Sequence, residues 1–122
     1  MPRPAGPSVQ LFGRRDSRPT QRAQRFFKER RVAVAFVDLA VRPMAPSELR
    51  RFVDRLGARA IADVEGARWR ELGLGYLRFD EAELAARLLA DQRLLRLPLC
   101  RFGDAVAAGP DEAAWTGWLA RG

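Results

Sequence analysis

The alternation of apolar and polar positions divides the chain into a β-α-β opening, a helical middle and a β-β-α close. Val9 to Phe12 is a short apolar run ended by Gly13, which predicts a first strand. After a loop from Gly13 to Ser17, Ser17 is placed as an N-cap with Pro19 tolerated in the first turn. The helix it opens is predicted to run to about Arg31, burying Ala23, Phe26 and Phe27 at i, i+3, i+4 spacing. Arg18, Arg22, Arg25 and Glu29 recur at the same spacing on another face. Val32 to Asp38 is apolar and β-branched throughout, the pattern of a strand buried on both faces. Two such strands joined by one helix predict a parallel pair with a right-handed crossover.

Further on, Ser47 is placed as the cap of a helix carrying Leu49, Phe52, Val53 and Leu56, with Gly57 as its stop. From Ala58 to Leu74 the pattern breaks into short helical turns around Trp69 and Leu72. Asp80 and Glu83 make an Asp-x-x-Glu capping box before a helix with Leu84, Leu88 and Leu89 inward. Leu97–Phe102, the Gly103-Asp104 turn and Ala105–Ala108 read as a hairpin. A last helix, started near Pro110 and Asp111, carries Ala114, Trp115, Trp118 and Leu119 inward. No internal repeat is found. Three prolines and a glycine among residues 1–7 mark an extended lead-in, so residues 1–8 are read as a flexible lead-in and 9–122 as one domain.

Composition narrows the chemistry. The 122 residues include no histidine, one cysteine (Cys100) and one lysine (Lys28). A Ser-His-Asp triad, a Cys–His pair, a histidine metal site and a CxxC redox pair are therefore excluded within the chain, and no cofactor is expected. No apolar run approaches the roughly 18 residues of a membrane span, and MPRPAGPS lacks the apolar region of a signal peptide. With a single thiol, these features point to a cytoplasmic protein without a membrane partner.

Charge is localised. Of 22 basic residues 21 are Arg, and with 20 Ala, no Asn and one Ile this skew resembles a GC-rich coding bias. Bias does not explain position, however. Residues 1–31 carry nine basic groups against Asp16 and Glu29, and the other 91 carry 13 Arg against 13 acids, so the whole net charge of +7 lies in the first segment. Arg14, Arg15 and Arg18 surround the predicted helix N-terminus at Ser17, a combination suited to a phosphate, sulfate or carboxylate. A solvated arginine-rich loop is the competing account. The stripe of Arg18, Arg22 and Arg25 suits a partner protein with an acidic surface. Nucleic acid is disfavoured because Phe26 and Phe27, the nearby aromatics, are needed inside.

The order of elements is that of the thioredoxin-like fold: an α/β domain with a mixed four-stranded sheet flanked by helices. Leu11-Phe12-Gly13, with Ser17 four positions on and then Ala23, resembles the opening of the arsenate reductase and Spx-like branch. Val37-Asp38, Gly66 to Leu72 and Arg96-Leu97-Pro98-Leu99 add to the resemblance, which spans roughly residues 9–119. It implies that Ser17 occupies the nucleophilic cysteine's position. It also implies that Leu97 takes the place of an oxyanion-holding Arg, with Arg96 one residue off, and that Pro98 follows a cis peptide bond. A serine with no histidine in the chain and no nearby lysine has no evident activating base. The resemblance therefore implies a family member without the catalytic cysteine, acting as a non-enzymatic interaction or regulatory module as Spx-like members do with RNA polymerase. The alternative is an anion- or glutathione-binding protein, or a divergent reductase-like enzyme, using Ser17 with Arg14 and Arg15.

Other candidates have plainer accounts. Ser17 is most economically a cap. Cys100, on a predicted strand, is expected to be buried and inert, which leaves residual redox activity through it a third alternative. Asp80, Glu81 and Glu83 are explained by a helix's first turn. Trp69, Trp115 and Trp118 are assigned to packing.

Overall fold

A computed structural model describes residues 8–121 of the chain. The expected lead-in falls outside the described residues except for Ser8, which already belongs to the first strand. The elements in order are β1 (Ser8–Gly13), α1 (Arg18–Glu29), β2 (Ala33–Asp38), α2 (Pro46–Leu56), α3 (Ala67–Glu71), α4 (Glu81–Ala90), β3 (Leu99–Phe102), β4 (Ala105–Ala108) and α5 (Glu112–Arg121). Single 3-10 turns at Arg59–Ile61, Leu74–Tyr76 and Gln92–Leu94 break up the middle. The sheet order is β2-β1-β3-β4. β1 is parallel to β2, with Leu11 opposite Phe36, and antiparallel to β3, with Leu11 opposite Cys100.

This order corrects the reading of β2. Its apolar run predicts burial on both faces, yet β2 is an edge strand in which Ala33 and Ala35 are exposed and Val34, Phe36 and Val37 half-buried. The interior positions go to β3 and to β1, whose Val9, Leu11 and Phe12 are fully buried. The reason is tertiary: β3 pairs on β1's other side, leaving β2 outermost.

Two cores result from the alternation of side chains along β1. On one face Val9 and Leu11 pack with Phe26 and Phe27 of α1, Cys100 of β3 and Trp115 and Trp118 of α5. On the other Phe12 packs with Phe52 of α2, Ile61, Trp69, Leu84 and Leu88 of α4, and Leu99. Burying each large side chain contributes about 1.5–3 kcal/mol, so Trp115 and the three fully buried phenylalanines carry much of the stability. Of the middle segment's apolar pair, Trp69 is buried, whereas Leu72 is exposed.

Two helix ends differ from the sequence reading. The cap of α2 is Ala45 rather than Ser47. Pro46 takes the first helical position, and Glu48 reaches back so that the Ala45 N–H donates to its Oε1 at 2.8 Å. Arg42 clasps the same carboxylate at 3.0 Å through each of two nitrogens, and that hydrogen bonding holds Glu48 below the usual carboxylate range. Helix α1 ends at Glu29, before Arg31. There the Arg31 N–H donates to the Lys28 carbonyl and the Val32 N–H to the Phe27 carbonyl, a Schellman closure with Arg31 at φ 59° and Val32 buried. Glycine is the usual occupant of that left-handed position. Arg31→Gly is therefore expected to raise unfolding free energy by about 0.5–1 kcal/mol in urea denaturation. A loss of stability would show that the Arg31 side chain contributes more than its backbone conformation costs.

The remaining elements follow the pattern. The capping box of α4 is closed in both directions, the Glu83 N–H donating to Asp80 Oδ1 at 2.7 Å and the Asp80 N–H to Glu83 Oε1 at 2.9 Å. Gly103, at φ 62°, turns the hairpin.

Candidate functional site

The loop Gly13–Ser17 carries the chain from the C-terminal end of β1 to the N-terminus of α1. Gly13 has no room for a side chain: a Cβ there would lie 2.5 Å from Oγ1 and 2.6 Å from Cγ2 of Thr20. Thr20 is the buried polar side chain of this region, and its Oγ1 accepts from the Arg14 N–H at 3.4 Å. The sequence pattern predicts neither contact; its trace there is a threonine three residues after a capping serine. Together they seat the first turn of α1 against the end of the central strand.

Ser17 is the N-cap, its Oγ accepting from the Thr20 N–H at 3.2 Å. The Gln21 N–H donates to the Ser17 carbonyl, and the Ser17 N–H donates to the Arg14 carbonyl. Pro19 has no N–H to offer. These bonds leave the Arg18 N–H as the one first-turn amide they do not use, so little remains here of an anion-binding terminus. Ser17→Ala should cost about 0.5–2 kcal/mol and Ser17→Gly only a few tenths, measured by thermal or urea unfolding. Equal costs for the two would argue against the capping bond as the source.

The arginines of the sequence reading do not converge on Ser17. Arg14 pairs with Asp16 at 3.5 Å and lines a cavity of about 470 Å³ with Leu39, Pro43, Asp91, Gln92 and Arg93. Arg15 turns to the neighbouring strand, donating from Nε to Asp38 Oδ2 at 3.1 Å and lying over the Phe36 ring. Arg96 lines a different cavity, of about 290 Å³, with Arg59, Asp63 and Glu65, and its guanidinium covers Gly109 closely enough that a Cβ there would meet Nε at 2.7 Å. Neither cavity is lined by Ser17 or Pro98. The Leu97–Pro98 bond is cis. On the helix stripe, Arg18 and Arg25 are exposed, but Arg22 donates to Glu112 of α5 at 2.6 Å and is partly neutralised. Exposed pairs of this kind contribute little to stability.

Cys100 lies on β3 in the core beneath α1 and α5, fully buried. Burial pushes its thiol far above the ordinary range, so the thiolate is scarcely populated at neutral pH. No helix among the described residues is long and apolar enough to cross a membrane.

A four-stranded mixed sheet of order β2-β1-β3-β4, with helices on both faces and a cis-proline entering the third strand, defines a thioredoxin-like protein. Within that class the chain belongs to the ArsC family, whose model matches residues 16–117. Solved structures agree in fold. The YFFB protein superposes with a TM-score of 0.84 at 22% identity, covering 91% of this chain and 98% of its own. The arsenate reductase from Vibrio cholerae gives 0.75 at 17% identity, covering 88% of this chain and 95% of its own. An arsenate reductase (ArsC) related protein from Brucella melitensis gives 0.70 at 16%, covering 95% and 98%. No curated protein matches the chain in sequence.

Proposed function

We propose that this ArsC family chain is a cytoplasmic, non-enzymatic protein-interaction or regulatory module with Ser17 where the reductases carry their nucleophilic cysteine. The observation that carries this reading is the position of the only thiol. Cys100 is buried in the core with its thiol held protonated, while the helix N-terminus is closed by a serine cap. Without a histidine or an adjacent lysine, Ser17 has no base to make it a nucleophile. Reduction of arsenate by a thiolate mechanism has no group to start it, whereas the fold survives such a loss because chemistry resides in the site. Arg18 and Arg25, exposed on α1, supply a cationic surface for an acidic partner.

Arsenate reduction, assayed with glutathione and a glutaredoxin as reductants, is expected to stay at the uncatalysed rate. Turnover above that rate would overturn the reading. The alternative, a small anion or glutathione held by Arg14, Arg15 and Ser17, predicts saturable thermal stabilisation by phosphate, sulfate, arsenate or glutathione at constant ionic strength. The engagement of both arginines with Asp16 and Asp38 favours a flat response.

A further inference from the structure

We propose that the outer edge of β2 is a docking site for an extended, acidic segment of a partner protein, which adds to the sheet as a fifth strand. Six residues of β2 are paired with β1 on one side, and no described strand pairs on the other. An open edge presents a row of unpaired backbone N–H and C=O groups over about 20 Å. Soluble proteins usually blunt such edges with proline, a charge or a bulge. From Val32 to Val37 this strand has none of them: the run is Val-Ala-Val-Ala-Phe-Val, continuously paired to β1 from Ala33 onward, with Ala33 and Ala35 exposed.

Beside the edge runs a groove of about 510 Å³ formed by Val32, Val34 and Phe36 together with Gln24, Lys28 and Arg31. Its floor is apolar, which suits alternate side chains of an added strand. Its charged lining residues are cations. The acid at the strand's end, Asp38, is already paired with Arg15, whose guanidinium also lies over Phe36. Cations unpaired among the described residues thus stand at the Val32 end of the edge, at Lys28 and Arg31, while at the other end Arg15 and Asp38 offset each other. That distribution selects carboxylates flanking an apolar, extended segment. It disfavours a second copy of this chain, which carries a net charge of +7 and the same cations beside its own β2. The site is independent of Arg18, Arg22 and Arg25, none of which lines the groove.

The test uses the full chain, isotope-labelled, with a seven-residue peptide alternating Val with Asp and Glu. Its counterpart has Lys in place of every acid. Saturable binding of the acidic peptide is expected, with chemical-shift changes and slowed amide exchange confined to residues 31–38. Lys28→Glu/Arg31→Glu should weaken it at least tenfold. Ala33→Glu/Ala35→Glu, on side chains that already face solvent, should do the same without touching the core. Arg55→Glu, at an exposed arginine on α2 that lines no part of the groove, should leave it unchanged. No saturable binding would overturn the proposal, as would equal affinity for the lysine peptide. Shift changes centred on α1 and lost in Arg18→Glu/Arg25→Glu would also overturn it, by moving the acidic peptide to the helix stripe. A free protein that is dimeric in sedimentation, with the β2 amides already protected, would overturn it in favour of self-pairing.

Discussion

Ser17→Cys is expected to create a thiol that alkylates rapidly at neutral pH in a protein whose native thiol does not. Position 17 is the N-cap of α1, where the positive end of the helix dipole favours a thiolate. Arg14 and Arg15 precede it and Arg18 follows, adding positive potential even though the first two are partly neutralised by Asp16 and Asp38. A thiol there should titrate below the ordinary value of about 8.5. Cys100 provides an internal contrast, since burial drives its thiol the other way. Iodoacetamide at pH 7 should therefore modify the variant at position 17 at least tenfold faster than at Cys100, read by mass spectrometry of the digested protein. Modification at position 17 no faster than that of an unperturbed thiol would mean that the terminus has lost its activating field. The same variant separates two causes of the inactivity proposed above. Arsenate turnover regained by this one replacement would assign the loss to Ser17 alone. A reactive thiol without turnover would assign part of it to Leu97, where the family resemblance implies an arginine.

The largest expected loss of stability follows Trp115→Ala. Trp115 is fully buried, with ring centroids 5.2 Å from Phe26 and 5.4 Å from Phe27, and it ties α5 to α1 on one face of the sheet. Its removal should cost about 3–5 kcal/mol. Against a total of roughly 5–15 kcal/mol for a domain of ordinary stability, that brings the protein close to unfolding at physiological temperature. Trp115→Phe makes a sharper test. The indole Nε1 is buried without a hydrogen-bond partner, so losing its N–H sacrifices no bond and only the lost volume counts. The cost should then fall below about 2 kcal/mol in denaturant unfolding. Equal costs for Ala and Phe would show that the indole N–H is satisfied by a buried water or an aromatic face.

Elements whose cause is local were legible in the sequence. Ser17 caps α1, Asp80 and Glu83 close a capping box, and Gly57 and Gly103 stand where positive φ is required. Each follows from residues within a few positions of one another. At the start of α2 two local signals compete: Ser47 is a good capping residue, but Pro46 with Glu48 fixes the cap two positions earlier, at Ala45. Longer-range features were legible only in part: the βαβ pattern yields the parallel β1–β2 pair, but not which strand lies at the edge. The apolar run of β2 is equally consistent with a central or an outer strand, and only the pairing of β1 with β3 decides between them. The candidate site shows the same limit. Arg14, Arg15 and Arg18 are neighbours in sequence, but Asp38, brought alongside by the parallel register of β2, turns Arg15 away from Ser17. Arg96 likewise lies over Gly109 in another cavity, a placement that no spacing along the chain encodes.

The position of β1 also bears on how the protein comes into being on the ribosome. Of the domain's four strands the first translated, β1, is an interior one, yet its second neighbour, β3, and the α5 helix that brings Trp115 against Phe26 and Phe27 follow only after α1 to α4. Until they arrive, Val9, Leu11, Phe26 and Phe27 have only part of their burial. A nascent chain lacking its final stretch therefore holds an incomplete core with an unpaired central strand, the kind of surface that chaperones and proteases engage. Folding of the domain should reach completion only once α5 has left the ribosome, and products truncated before α5 should be cleared rather than accumulate as stable fragments.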